Sequence, residues 1–340
     1  MMSSFRYTLA QNLLKCSQKF ETRNKQHLSA IILLISYRIY DEEKELLLKI
    51  ATLEIYAKKY RRTIKIINKY LDNNPESIKA LKLQSIAYRN MNEHKKAIKI
   101  LLKSLKISKN DVWILYSLGS NYEKTNKIRM AKTYFRKTIE TDKAYSKAYF
   151  RLANIYMNEE KFDLAINLFL DGLSLRGESV IEWVNLALCY MKMKNNKAAE
   201  KVLLEVKGKK EGLSEVLFAL STCYINQSKY DKAKKMIEQL NQEKERRLIL
   251  SLKMKLALEQ CSYEEIANLL REIKRKEKNA EYWYILAILQ ANTRRERKAI
   301  KSLRKAITMD KSMQNEAKKD THFMMIRELV EFKHIVYSRQ

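Results

Sequence analysis

The sequence predicts an all-α fold, a solenoid of stacked helical hairpins, and three observations carry that prediction. Alanine recurs at Ala97, Ala131, Ala165, Ala199, Ala233 and Ala267, each 34 residues after the last, with Ala299 following after 32. Larger apolar residues keep the same interval: Leu118, Leu152, Leu186 and Leu220 each stand 13 residues before an alanine of the series. Helix breakers are scarce, with one proline and five glycines in 340 residues, against average usages of ~5% and ~7%. A fixed period of this length is one supersecondary unit stacked on copies of itself. No segment alternates with period two between turn signals, so no sheet is expected. The array is expected to wind as a right-handed superhelix.

The elements follow in order along the chain. Near the N-terminus, Leu13, Cys16, Ser17, Phe20, Ser29 and Leu33 fall in the register of the later units. The unit 112–145 shows how the period is enforced. Leu115, Leu118, Gly119 and Tyr122 share one face of a first helix at the i, i+3, i+4, i+7 spacing. After a turn, a second helix presents Ala131, Phe135 and Ile139 at intervals of four. Gly119 and Ala131 are small where the two helices must cross closely, and Tyr122 and Phe135 fill the space around the crossing. The next unit repeats the set with Tyr149, Leu152, Ala153, Tyr156, Ala165 and Phe169, and the one after with Trp183, Leu186, Ala187, Tyr190, Ala199 and Leu203. Asn90, Asn158, Asn226 and Asn292 end four first helices and read as left-handed helix stops. Phe323, Ile326, Leu329, Val330, Phe332 and Val336 form an amphipathic segment that reads as a terminal capping helix.

Leu118-Gly119-x-x-Tyr122 with Ala131 nine residues on and Phe135 four beyond resembles the tetratricopeptide repeat. Units begin near 44, 78, 112, 146, 180, 214, 248 and 280. The resemblance divides the chain into a divergent N-terminal helical repeat over 1–43, a repeat array over 44–311 and a C-terminal capping helix over 312–340. With the N-terminal unit, about eight to nine repeats are expected. The unit at 44 has Thr63 for alanine but keeps the family's closing proline as Pro75. The unit at 248 departs furthest, with Lys255 and Leu258 in place of the small residue and the tyrosine.

The resemblance implies a non-catalytic interaction scaffold or adaptor, within a larger assembly, that holds a peptide segment or helix of a protein partner. In this family the first helices build a concave groove. There the residue after the first conserved apolar position reads Leu48, Lys82, Tyr116, Phe150, Val184, Phe218, Leu252 and Tyr284. One turn later come Thr52, Ile86, Ser120, Asn154, Leu188, Thr222, Leu256 and Ile288. Aromatic and apolar groups beside hydroxyls and amides suit an extended peptide or a partner helix. Co-chaperones of the family grip acidic tails with lysine, arginine and asparagine. Here Lys82, Lys147 and Arg151 match the basic members, while Ile86 and Ser117 replace the asparagines. The partner-binding residues expected are therefore Lys82, Tyr116, Lys147, Phe150, Arg151, Asn154, Phe218 and Tyr284, facing an acidic or apolar segment.

Charge supplies the alternative. Sixty-eight Lys and Arg against 39 Asp and Glu give a formal charge of +29, which attracts polyanions in general. Arg61, Arg62, Lys65 and Lys69, then Lys95, Lys96, Lys99, Lys103 and Lys106, then Arg129, Lys132, Arg136 and Lys137 fall on second helices, which form the convex outside in this family. The run from Arg294 to Lys305 does the same near the C-terminus. A nucleic-acid-associated factor using this stripe is the alternative function, and RNA-binding pentatricopeptide repeats have a near-identical period. The paired polar residues that would read bases do not recur at one fixed position, which favours the protein partner.

No catalytic, cofactor or metal site is expected. His27, His94, His322 and His334 are scattered, and the closest pair is twelve residues apart, ~18 Å of helix. Neither a His-Glu-x-x-His motif nor a glycine-rich phosphate loop occurs. Cys16, Cys189, Cys223 and Cys261 lack paired spacing and read as small buried thiols of a reducing compartment. The most apolar run, 28–35, is far short of the ~20 residues of a membrane span. Residues 1–20 loosely resemble a mitochondrial presequence but read better as the first repeat helix, so a cytoplasmic location is expected.

Overall fold

The computed structural model describes residues 2–22, 25–39, 45–175, 180–208, 213–241, 244–273 and 277–337, and every regular element among them is helical. The chain divides into two compact units, 1–182 and 183–340. The first holds α1 (Met2–Thr22), α2 (Gln26–Ile39), α3 (Leu46–Tyr56), α4 (Tyr60–Leu71), α5 (Ile78–Asn90), α6 (His94–Ile107), α7 (Val112–Lys124), α8 (Ile128–Thr141), α9 (Ser146–Asn158) and α10 (Phe162–Leu175). The boundary falls within α11 (Val180–Lys192). The second unit continues with α12 (Asn196–Val206), α13 (Leu213–Asn226), α14 (Tyr230–Glu238), α15 (Arg246–Glu259), α16 (Tyr263–Glu272), α17 (Ala280–Asn292), α18 (Glu296–Met309), α19 (Ser312–Lys319), a 3₁₀ segment (Thr321–Ile326) and α20 (Val330–Tyr337). Of the expected basic run at the C-terminus, Arg294 and Arg295 precede α18 rather than lying on it.

One backbone turn joins each first helix from α3 onward to its second helix. Lys58, Asn92, Asn126, Glu160, Lys194, Ser228, Cys261 and Arg294 all carry a positive φ, between 53° and 60°. The next residue donates its N–H five residues back: Lys59 to Glu54, Glu93 to Tyr88, Lys127 to Tyr122, Lys161 to Tyr156, Asn195 to Tyr190, Lys229 to Tyr224, Ser262 to Ala257 and Arg295 to Gln290, all at 2.8–2.9 Å. This is the bond of a Schellman cap, which satisfies a carbonyl left over at the helix end. The left-handed residue thus sits two positions beyond Asn90, Asn158, Asn226 and Asn292, which are the last helical residues rather than the stops themselves.

Counting from these turns places the helix crossing. Seven residues before each stand Ala51, Ser85, Gly119, Ala153, Ala187, Ser221, Met254 and Ala287; five after stand Thr63, Ala97, Ala131, Ala165, Ala199, Ala233, Ile266 and Ala299. All are buried. At Gly119 the fit is tight, because a Cβ there would come within 2.7 Å of the Phe135 ring. The turns are 34 residues apart as far as Ser228, then 33 apart to Cys261 and 33 again to Arg294. The alanine series expected from sequence is therefore wrong at one point: Ile266 is fully buried, while Ala267 is only half-buried. Met254 and Ile266 stand where other repeats have small residues, and Ala257 stands where most have tyrosine. Bulk has moved within this repeat rather than been added, the exchange cores tolerate best.

The termini pack as extensions of the same scheme. Leu33 and Tyr37 of α2 join a core with Leu47, Ile50 and Ile67 of α3 and α4, and Ser36 donates to the Ala10 carbonyl at 3.0 Å. Buried Glu54 takes the place of tyrosine and pairs with His27 at 3.0 Å and Arg62 at 3.2 Å, tying α2 to the first regular repeat. At the other end, the single expected capping helix is three pieces. Asp320 has extended backbone and accepts the His322 N–H, which ends α19 and starts the 3₁₀ segment. Phe323, Ile326, Phe332 and Val336 are fully buried against α17 and α18, whereas Val330 is exposed. Cys189 and Cys223 are buried free thiols, and burial pushes Cys189 up to about 11. Cys16 and Cys261 are exposed, contrary to expectation.

Candidate protein-binding face

In the first unit, the row expected to face a partner, one turn into α5, α7 and α9, consists of Ile86, Ser120 and Asn154, all half-buried. The preceding row is less open than the sequence suggests. Tyr116 is half-buried, its ring 5.1 Å from Tyr145 and 5.7 Å from Phe135. Phe150 is only 8% exposed, and its ring lies where a Cβ on Gly172 would come within 2.5 Å. Both aromatics thus pack onto the second helix of their own repeat.

The basic residues expected to hold an acidic segment are divided in role. Lys82 pairs with Asp111 at 2.6 Å and lies 5.3 Å over the Trp113 ring. The same Asp111 caps α7 by accepting the Ile114 N–H at 3.1 Å. Arg151 pairs with Glu123 at 2.8 Å. Both cations therefore link successive repeats, and an acidic partner would compete with these carboxylates. Lys147 is exposed at the start of α9.

In the second unit, Phe218 is half-buried on α13. Tyr284 is covered by the chain itself: its hydroxyl donates to Asp320 at 2.9 Å, and its ring meets Phe323 edge-on at 5.4 Å. Burial, with Asp320 second, pushes the Tyr284 phenol well above its ordinary value. Asn292 donates to the His322 carbonyl at 2.9 Å. The 3₁₀ segment and the aspartate that caps it thus cover Tyr284 and Asn292 of α17.

The 33-residue repeat also moves the expected inner row. Leu252 and Leu256, expected there, are buried; counting from Cys261 puts Ser251 and Lys255 in their places. Lys255 donates to Asn226 at 2.9 Å, and burial lowers its ammonium pKa. Sequence reading missed this pair because the alanine series concealed the lost residue. Spacing measured from the turn would have found it.

A family model described as a tetratricopeptide repeat matches residues 79–111, 114–145, 146–178, 183–207, 214–245 and 280–313, together more than half of the chain. The chain belongs to the tetratricopeptide repeat family. The matches pass over α15 and α16, the hairpin whose crossing residues are exchanged. A tetratricopeptide repeat protein from Parabacteroides merdae has the same fold, with 18% identity and a TM-score of 0.53 over 74% of this chain and 99% of its own. Pseudomonas aeruginosa PilF aligns with 13% identity and a TM-score of 0.51 over 62% of this chain and 96% of its own. No curated protein is similar enough in sequence to count as a relative. Tetratricopeptide repeats are in general protein-interaction scaffolds, and this chain is one of them. Among the described residues, no helix is long and apolar enough to cross a membrane.

Proposed function

We propose that the protein is a non-catalytic adaptor that holds a segment of a protein partner against the inner row of its first unit. The observation that carries the reading is the row Ile86, Ser120 and Asn154, which repeats across three first helices with half-open side chains of mixed polarity. Such a row offers apolar contact and hydrogen bonds at one interval, as an extended peptide or a partner helix requires. Lys147 adds a cation at its edge. Tyr116 and Phe150 serve this reading as the packed floor that fixes the row, with Lys82 and Arg151 as its inter-repeat braces. In the second unit, Phe218 and Lys255 hold comparable positions on α13 and α15, and Tyr284 is left out because the 3₁₀ segment covers it.

Site-specific photo-crosslinking in native lysate tests the proposal. A photoreactive side chain at Ser120 or Asn154 should give one discrete polypeptide adduct, and one at Lys99 or Lys103 on the opposite side should not. Adducts arising only from the outer positions would contradict it.

A further inference from the structure

The outermost stripe of each second helix consists of three side chains one turn apart, at i, i+4 and i+8. In α4 these are Arg61, Lys65 and Lys69, and in α6 they are Lys95, Lys99 and Lys103. In α8 they are Arg129, Thr133 and Lys137. All nine are exposed, eight are cations and none is an acid. The ion pairs of these helices are made by their neighbours Arg62, Lys96 and Lys132, which leaves the eight without a described carboxylate partner. The pattern then reverses. The same positions in α10 are Asp163, Asn167 and Asp171, and in α16 of the second unit they are Glu264, Asn268 and Glu272. The stripe returns in the second unit as Arg297, Lys301 and Lys305 of α18, and α12 there carries Lys197 and Lys201, but α4, α6 and α8 are the one place in the sequence where successive second helices carry it without an acid.

We propose that the outer face of α4, α6 and α8 binds the phosphate backbone of a double-stranded nucleic acid without regard to sequence. Rows of ammonium groups ~6 Å apart along each helix neutralise closely spaced phosphates and release their counterions. Single strands are held largely by bases stacked on exposed rings. Here Tyr70 and Tyr134 are buried, and Lys69 and Lys137 lie over the rings of Tyr37 and Tyr134. Base reading is unsupported, since the stripe contains no asparagine or glutamine and is mostly lysine, a point charge rather than a planar fork. An anionic bilayer extends sideways without limit and would press Asp163 and Asp171 of the next helix against its own charge, whereas a duplex engages three helices and leaves α10 aside. The stripe lies on second helices and the proposed partner row on first helices, so this inference stands or falls independently of the groove.

The test uses the full chain and fluorescent duplex RNA and duplex DNA of about 20 base pairs, a length near the span of a small duplex-binding domain. Anisotropy is followed over a potassium chloride series. Both duplexes should bind, with a log–log salt slope of about −4 to −7, since each neutralised phosphate contributes ~0.9. Replacing Lys65, Lys99, Lys103 and Lys137 by Gln should flatten the slope by about 3 to 4 and weaken binding more than about tenfold, with an unchanged circular dichroism melt. Removing equal charge through Lys197→Gln, Lys201→Gln, Lys232→Gln and Lys235→Gln in the second unit should change affinity less than about threefold, since these lysines lie outside the patch. Four results would each overturn the proposal: equal losses from both quadruple variants, a slope shallower than about −2, tighter binding of the same single strands, or tighter lysine-dependent binding of phosphatidylserine–phosphatidylcholine vesicles.

Discussion

The hairpin α7–α8 and the hairpin α15–α16 have the same turn and opposite interiors. In the first, Gly119 and Ala131 let the helices approach, while Tyr122 and Phe135 fill the flanks. In the second, Met254 and Ile266 occupy the close positions, and Ala257 replaces the tyrosine. Both keep a left-handed residue, Asn126 at φ 58° and Cys261 at φ 53°, and the bond from the following N–H five residues back. The repeat is therefore defined by its turn, with the packing residues exchangeable so long as total volume is kept.

That comparison can be broken at several points. Because a repeat contacts only its neighbours, local hydrogen exchange reads such effects better than one global midpoint. The largest effect is expected from Met254→Ala, which makes the repeat more family-like in composition. It should open a cavity and cost ~2–4 kcal/mol, with faster exchange confined to α15, α16 and their neighbours. Next comes Gly119→Ala. The added methyl must displace the Phe135 ring, and a cost of ~1–3 kcal/mol should appear in α7 and α8. Unchanged exchange would mean that the crossing is looser than described.

Tyr284→Phe should cost about 1 kcal/mol by removing the hydrogen bond to Asp320, and should loosen the C-terminal pieces first. The pH dependence has a definite sign. The Tyr284 phenol is raised in the folded chain, so its contribution is complete below the unfolded value of ~10 and is lost as pH climbs beyond it. The alkaline loosening of α17 should therefore be weaker in the Phe variant. The smallest effect is a gain: Lys194→Gly, at φ 60°, should add about 0.5 kcal/mol by relieving a left-handed side chain, partly offset by unfolded-chain entropy. Asn126→Gly should add less, because asparagine tolerates that conformation.

Fold and period were legible because apolar spacing and scarce breakers act locally and repeat many times. The regular crossing at Gly119 and Ala131 was legible for the same reason. The exchange at Met254, Ile266 and Ala257 was not, since one missing residue is invisible when a chance alanine at 267 continues the series. The inner face was legible only as a set of positions. Whether Phe150 opens to a partner or lies on Gly172 depends on a ring orientation that spacing does not specify. Tyr284 was misjudged because its cover comes from Asp320 and Phe323, a contact no repeat pattern encodes. The breaks within the C-terminal segment likewise arise from one aspartate capping its own neighbour.

The claim that the turn and not the alanine series sets the register is tested most directly by one pair of variants, Ile266→Ala and Ala267→Leu, compared by hydrogen exchange across α15 and α16. With Ile266 fully buried and Ala267 half-buried, the first should cost ~2–4 kcal/mol and the second less than ~1 kcal/mol. The reverse order, with Ala267→Leu disruptive and Ile266→Ala tolerated, would restore the unbroken alanine ladder and contradict the account.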